Sequence, residues 1–176
     1  TSAQFQGQGL ETALTQIVAE TVGVPMEAVR IVNGDTAVTP IGGGSFASRG
    51  TTIAGEAALR AAIALRERIL AVVAALLQTS AEELEIRDSA IRVRATGAVH
   101  PLSEIAFTLN YRQHLLPPDV ASEPVVTRHF AGPHPYFLSN GMQASLIELD
   151  PDTGFVRPLR HWVVEDCGRI INPLLV

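Results

Sequence analysis

Leu10, Leu14, Ile17, Val18 and Thr21 recur at the spacing that lines one face of a helix, and Gly23 and Pro25 follow in the order that ends one. Val29, Arg30, Ile31 and Val32 read as a strand, with Asn33, Gly34 and Asp35 as the turn behind it. Residues 41–48 form a Gly-rich loop, and a long Ala-rich helix of about seven turns is predicted over 52–77. In that helix Ile53, Ala57, Ala61, Ala64, Ile69 and Val73 are small or apolar, so it can pack closely on several sides, while its charges gather at Arg60, Arg66, Glu67 and Arg68. Ser80 with Glu83 three residues on reads as a capping box for a short helical turn. Residues 85–87 and 91–93 flank Asp88 and Ser89 as a hairpin, and Ser103 is placed to cap a helix running to about Tyr111. Residues 113–124 hold three prolines and read as a loop. Residues 142–149 and 155–165 alternate apolar and polar around Asp150-Pro151-Asp152-Thr153-Gly154, a strong turn.

Helices and paired strands thus alternate without a regular strand–helix–strand rhythm, and neither a repeat nor a Gly/Ser linker interrupts them. The expected fold class is α/β (α+β): two layers, with packed helices on a mixed or mostly antiparallel sheet.

Composition narrows what such a fold does. The 176 residues suit one domain with a core of its own. Apolar residues make up 47% and charged residues 18%, which excludes a disordered chain, and a mean hydropathy of +0.22 is oily for a free-standing soluble domain. All 13 basic residues are Arg, and a net charge of −5 argues against a nucleic-acid partner. The single cysteine, Cys167, excludes an internal disulfide framework and an all-thiolate metal site, and points to a reducing compartment. The start of the chain lacks a basic segment followed by an apolar one, and the longest uncharged apolar run, 69–81, is too short to span a bilayer. A soluble, cytoplasmic protein with no membrane partner is therefore expected. The chain begins without Met and ends on Pro173-Leu174-Leu175-Val176, which leads us to expect that residues 1–176 are a partial domain, truncated at both ends.

Two Gly-rich segments carry the candidate chemistry. Gln6-Gly7-Gln8-Gly9-Leu10-Glu11-Thr12 runs into the first helix, where free N–H groups favour an anion such as a phosphate and a Gln amide can donate and accept. A Gly-rich helix start without a ligand accounts for the same residues. Gly42-Gly43-Gly44-Ser45-Phe46-Ala47-Ser48-Arg49-Gly50-Thr51-Thr52 also enters a helix and adds hydroxyls and a guanidinium. It is neither a P-loop, since Ser-Arg-Gly stands where Gly-Lys-Ser/Thr is needed, nor a dinucleotide fingerprint. Together the two could face one elongated, phosphate-bearing ligand. His100, His114, His129, His134 and His161 show no metal-binding spacing, and His129 and His134 share a Pro-rich loop with Tyr136. Cys167 beside Arg169 could be a nucleophile, but a small buried filler is the simpler expectation.

With these residues in order, the chain resembles the large, molybdopterin-binding subunit of the molybdenum hydroxylases: xanthine dehydrogenase, aldehyde oxidase or oxidoreductase, and aerobic carbon monoxide dehydrogenase. The resemblance rests on an ordered series. Gly7-Gln8-Gly9-Leu10-Glu11-Thr12 comes first, then Gln16-Ile17-Val18-Ala19-Glu20 and Gly23-Val24-Pro25. Gly34-Asp35-Thr36, Gly43-Gly44-Ser45-Phe46-Ala47-Ser48-Arg49 and Gly55-Glu56-Ala57-Ala58 follow. Glu148-Leu149-Asp150-Pro151-Asp152-Thr153-Gly154 and Asp166-Cys167-Gly168-Arg169-Ile170-Ile171-Asn172-Pro173 complete it. It covers nearly the whole chain, least clearly over 80–126.

The resemblance implies a molybdenum ion held by the dithiolene of a pterin, in a mononucleotide or cytosine dinucleotide form. It implies hydroxylation of an aldehyde, an N-heterocycle or a CO-like substrate with water as oxygen source. Electrons would pass through 2Fe–2S clusters to FAD on partner domains or subunits. Gln8 matches the family's amide beside the cofactor, with Gly9 and Thr12 in the same loop. Ala47 and Ser48 match the segment that contacts the pterin near the metal, and Arg49 follows the carbon-monoxide-dehydrogenase-like form of that loop. The family's general-base glutamate lies in a Gly-Glu motif well beyond Asn172-Pro173, and neither Glu56 nor Glu165 matches it. A second Gln-Gly segment is expected just past Val176. No catalytic residue and no direct metal ligand is therefore assigned to this chain, which alone is expected to be inactive and to bind cofactor weakly or not at all. The implied partners are the remainder of the molybdenum subunit, the iron–sulfur and FAD subunits or domains and a small-molecule substrate, in an oligomeric parent enzyme.

Two rivals stay in play. A non-catalytic interaction or scaffold domain with a degenerate cofactor-binding fold would leave the two Gly-rich loops facing apart. A small hydrolase would place Cys167 or Ser48 within hydrogen-bonding reach of a histidine.

Overall fold

The structure, a computed structural model, describes residues 1–39, 42–118, 120, 123–132 and 138–175. The chain divides into two compact units, residues 1–132 with Leu175, and a second that runs to residue 174.

In the first unit, the 10/14/17/18/21 periodicity forms α1 (Leu10–Val22), closed at Gly23 in a left-handed conformation. The long Ala-rich segment forms α2 (Glu56–Leu77), but its predicted first turn is a π-helical turn, Gly50–Gly55. The widened turn lies against α1: a Cβ on Gly50 would touch Leu10, and one on the buried Gly55 would sit 3.2 Å from Ile17 Cδ1. A side chain at Gly55 would push Ile17 aside, whereas one at Gly50 would make only ordinary contact with Leu10.

The hairpin predicted around Asp88-Ser89 is present as β1 (Leu84–Arg87) and β2 (Ala90–Val93), paired Ile86 to Ile91 and Leu84 to Val93. Asp88 and Ser89 both take positive φ, 51° and 58°, as a two-residue hairpin turn requires. A short strand that the pattern does not suggest, β3 (Val99–Pro101), completes an antiparallel β1-β2-β3 sheet and leads directly into α3 (Leu102–Tyr111). Alternation turns Leu84, Ile86, Ile91 and Val93 to one face, where they meet Ile69, Val72 and Val73 of α2 and Ile105 and Leu109 of α3. This is the main core. A smaller cluster, Ala3, Leu10 and Leu14 with Phe5, Ile31, Ala54 and Ala58 against it, anchors the start of α1.

Several local expectations are corrected. Residues 29–32 form no strand: the segment carries β propensity but finds no ladder partner among the described residues, and Val32 O accepts the Thr1 ammonium at 2.8 Å. Ser80 precedes a 3-10 turn (Ala81–Glu83) without a side-chain cap, the bond there running from Glu83 N–H to Ser80 O. Ser103 lies inside the first turn of α3, because Pro101 takes the capping position and lacks an acceptor side chain. The Pro-rich segment contains a 3-10 turn, Gln113–Leu115.

In the second unit, β4 (Asn140–Leu149) and β5 (Val156–Asp166) form the predicted hairpin, every residue of it exposed. The ladder shifts register between Leu146 and Ile147, where Pro158 has no N–H to contribute. The helices and antiparallel strands are those of the predicted α/β class, but among the described residues the strands form two antiparallel sheets rather than one. Among the described residues, no helix is long and apolar enough to cross a membrane.

Candidate functional site

Gln4, Gln6 and Gln8 stand at every second position before α1. The Gln6 backbone N–H donates to Gln8 Oε1 at 2.7 Å, and Gln8 Nε2 donates to Gln4 O at 3.2 Å. A backbone N–H can only donate, so it fixes which end of the Gln8 amide is oxygen. Gly9 then takes the left-handed conformation (φ 74°, ψ 10°) that turns the chain into α1. No side chain caps that start; Gly9 O takes the Ala13 N–H. Leu10, Glu11 and Thr12 lie in the first turn, where backbone N–H groups have no intrahelical acceptor. Gln8 and Thr12 are exposed and Gly9 half-buried. A Cβ at Gly9 would lie 2.8 Å from the Leu175 methyls, so this loop is closely approached as well as open to solvent.

The second loop carries backbone strain. Ala47 and Ser48, consecutive and both exposed, have φ of 50° and 57°. A left-handed L-residue costs roughly 1–2 kcal/mol. Such conformations persist where their surroundings over-determine them, and they gather at ligand sites. Arg49 returns to the right-handed region, its N–H on Phe46 O at 3.2 Å, and Thr52 Oγ1 donates to Ser48 O at 2.7 Å. The half-buried Arg49 guanidinium folds back on its own loop, 3.5 Å from Gly43 O and 5.2 Å from the centre of the Phe46 ring. A Cβ on Gly43 would overlap it. The π-turn Gly50–Gly55 follows directly, a helix type that recurs at functional positions.

The two loops meet at Ser45. Its hydroxyl accepts the Gln4 N–H at 2.8 Å and donates to Gln4 O at 2.7 Å, and its carbonyl accepts Gln6 Nε2 at 3.2 Å. Gln8, Gly9 and Thr12 are thereby carried on one side of a joined pair of loops, and Ala47, Ser48 and Arg49 on the other. Between them the two segments, 4–12 and 42–52, hold one acid, Glu11, and one base, Arg49. Apart from Phe5, Leu10, Phe46 and Ala47, the other side chains are amides, hydroxyls and glycines. That donor-rich set is suited to hold an anionic, hydrogen-bonding ligand. The two loops touch through Ser45.

Gln4, Gln6 and Ser45 are the residues that sequence reasoning did not single out as site residues. Gln6 and Ser45 stand inside the two Gly-rich segments themselves, and the alternation of Gln at 4, 6 and 8 is the one signal that reaches Gln4.

The remaining candidates stand elsewhere. Cys167 is exposed, which corrects its reading as a buried filler: it follows the last residue of β5, beyond any packed layer of the hairpin. Among the described residues, Ser145 Oγ and His161 Nδ1 share a hydrogen bond at 2.7 Å, an exposed cross-strand pair that involves neither Cys167 nor Ser48. Glu56 accepts Arg60 Nε at 2.7 Å, and Glu165 stands opposite Gly141 in the hairpin. His134 and Tyr136 lie outside the described residues. Among the described residues, no group of three or more His, Cys, Asp or Glu could hold a metal ion.

The chain as a whole is similar to known proteins. The family model of the molybdopterin cofactor-binding domain matches residues 1–176. The chain is 35% identical over 172 residues to the nicotine 6-hydroxylase large subunit of Paenarthrobacter nicotinovorans, covering 97% of this chain and 21% of that protein. Among solved structures, quinoline 2-oxidoreductase from Pseudomonas putida 86 superposes with a TM-score of 0.79 at 32% identity, covering 98% of this chain and 22% of that one. Carbon monoxide dehydrogenase from Oligotropha carboxidovorans gives 0.77 at 29%, covering 98% and 21%. The chain spans about one fifth of the length of these relatives.

Proposed function

The chain belongs to the molybdopterin cofactor-binding domains, and from that premise we propose that its two joined loops hold a molybdopterin in the large subunit of a molybdenum hydroxylase. The observation that carries the proposal is the Ser45 junction, which brings Gln8, Gly9 and Thr12 onto the same loop pair as Ala47, Ser48 and Arg49.

The residues fit the group. Its phosphate is an anion, suited to the free N–H groups at the start of α1 and to the Arg49 guanidinium. The Gln8 amide keeps one N–H beyond the one it gives to Gln4 O, so it meets a ligand as a donor. The left-handed backbone at Ala47 and Ser48 brings main chain, with small side chains, against whatever lies there. When bound, the cofactor supplies the redox centre for oxidative hydroxylation with oxygen from water. This chain's part is to bind it and hold it in one orientation. The general base and the rest of the pocket belong to residues beyond this segment, and electrons leave through iron–sulfur and FAD partners. Nicotine and quinoline, named in two of the relatives, are both N-heterocycles, and this favours an N-heterocyclic substrate over an aldehyde or carbon monoxide.

The test is the metal and pterin content of the natural protein, purified with whatever chains accompany it, beside a Ser48→Val variant. A β-branched residue at φ 57° is incompatible with the loop. Near-stoichiometric molybdenum and pterin in the wild type, with a loss of at least tenfold in the variant, is the expected result. A natural protein free of pterin overturns the proposal.

A further inference from the structure

The hydrogen bonds at Ser45 do more than bring two loops together. The Ser45 hydroxyl is a complete link: it accepts from Gln4 N–H and donates to Gln4 O, as a neighbouring strand would. Gln6 is used twice, its side-chain amide on Ser45 O and its backbone N–H on Gln8 Oε1. Gln4 O receives both the Ser45 hydroxyl and the Gln8 amide nitrogen. One continuous chain of bonds therefore runs from the second loop, through Gln4 and Gln6, to the Gln8 amide, fixing its orientation and leaving one N–H to give.

These bonds are solvent-exposed. Water can replace each, so they add little to global stability. Their effect is geometric: they set the distance between the loops and the polarity of Gln8.

We propose that Ser45 and Gln6 are positioning residues, which hold the two cofactor loops in register and present the Gln8 amide as a hydrogen-bond donor to the bound molybdopterin. The inference rests on the cofactor reading above.

The test compares wild type, Ser45→Ala, Ser45→Thr and Gln6→Glu in the natural protein with all its accompanying chains. Ser45→Thr keeps the hydroxyl, and Gln6→Glu removes the donor to Ser45 O while leaving its backbone N–H. Three quantities are read: the melting temperature, backbone hydrogen exchange over 3–9, and the rate at which pterin fluorescence appears in solution after dilution. Losing two of these hydrogen bonds corresponds to about a tenfold effect. The expected result is exchange and pterin release each faster by about that factor in Ser45→Ala. Gln6→Glu shows a smaller increase, Ser45→Thr returns to wild-type rates, and the melting temperature stays unchanged throughout. Unchanged exchange in Ser45→Ala overturns the junction itself. Faster exchange with wild-type pterin release makes the junction merely structural and overturns the positioning role while the cofactor reading stands. A wild type without pterin fails the cofactor reading, and this inference falls with it.

Discussion

Gly23→Ala should open the junction between α1, α2 and the β1–β2 hairpin. Gly23 has φ of +91°, where an L-residue costs about 1–2 kcal/mol. Its new Cβ would also run into the carbonyl of Ile86, a backbone atom that cannot swing aside. Moving β1 away strains the bond from Ser89 N–H to Gly23 O, 3.1 Å, and the reach of Arg66 Nη1 to Ile86 O, 3.4 Å. The same Arg66 nitrogen also holds Thr21 O and Val22 O at the end of α1, at 3.3 and 3.2 Å. With about 1 kcal/mol for each weakened bond, the total is about 3 kcal/mol, or about a hundredfold in a local opening equilibrium. Hydrogen exchange at the Ser89 and Val24 amides reads that opening directly. Gly97→Ala is the control: its φ is +72°, but nothing lies within 4 Å of the new Cβ, so only the backbone cost of about 1 kcal/mol applies, about fivefold at the Gly97 amide. An effect at Ser89 no larger than the one at Gly97 would refute the reasoning, since the close approach of Ile86 would then cost nothing.

Other outcomes follow from single interactions. Arg68 Nη1 holds Glu123 O at 2.7 Å and Val125 O at 2.8 Å, so Arg68→Ala should speed proteolytic cleavage around 123–127 by about tenfold; unchanged cleavage would show the segment to be held otherwise. The Thr153 side chain, and then the Asp152 and Thr153 backbone N–H groups, hold the Asp150 carboxyl below its ordinary value of 3.8. A lowered carboxyl supports the turn above that ordinary value, and its support fades as pH falls through the lowered one. A carbon-13 carboxyl titration of Asp150 should therefore have its midpoint below 3.8, and a midpoint at or above it would contradict the turn geometry.

Local signals made most of the fold legible. Periodicity over α1 and α2, alternation in β1, β2, β4 and β5, and the turns at Asp88-Ser89 and Asp150–Gly154 are written in neighbouring residues, and the structure has them. What the pattern missed depends on residues far apart. Val29–Val32 has strand composition, but a strand needs a partner, and none pairs with it among the described residues. β3 holds a His and a Pro and is a strand only because β2 pairs with it. The π-turn Gly50–Gly55 lies against Leu10 and Ile17 of α1, a contact between residues far apart in the chain that local pattern does not show. At the site, composition marked both Gly-rich loops, since glycines, amides and a guanidinium before helices carry a local meaning. Their junction could not be read, because Gln4 and Ser45 stand 41 residues apart. The left-handed backbone at Ala47 and Ser48 was equally hidden, neither residue being a glycine.

The central claim is that residues 4–12 and 42–52 form one cradle for one cofactor. Hydrogen exchange of the natural protein, compared before and after removal of its pterin, tests it most directly. The account predicts that both segments lose protection together and regain it together on reconstitution, while Ile86 and Ile91 in the main core stay unchanged. Protection that changes in one segment without the other, or in neither, would contradict it.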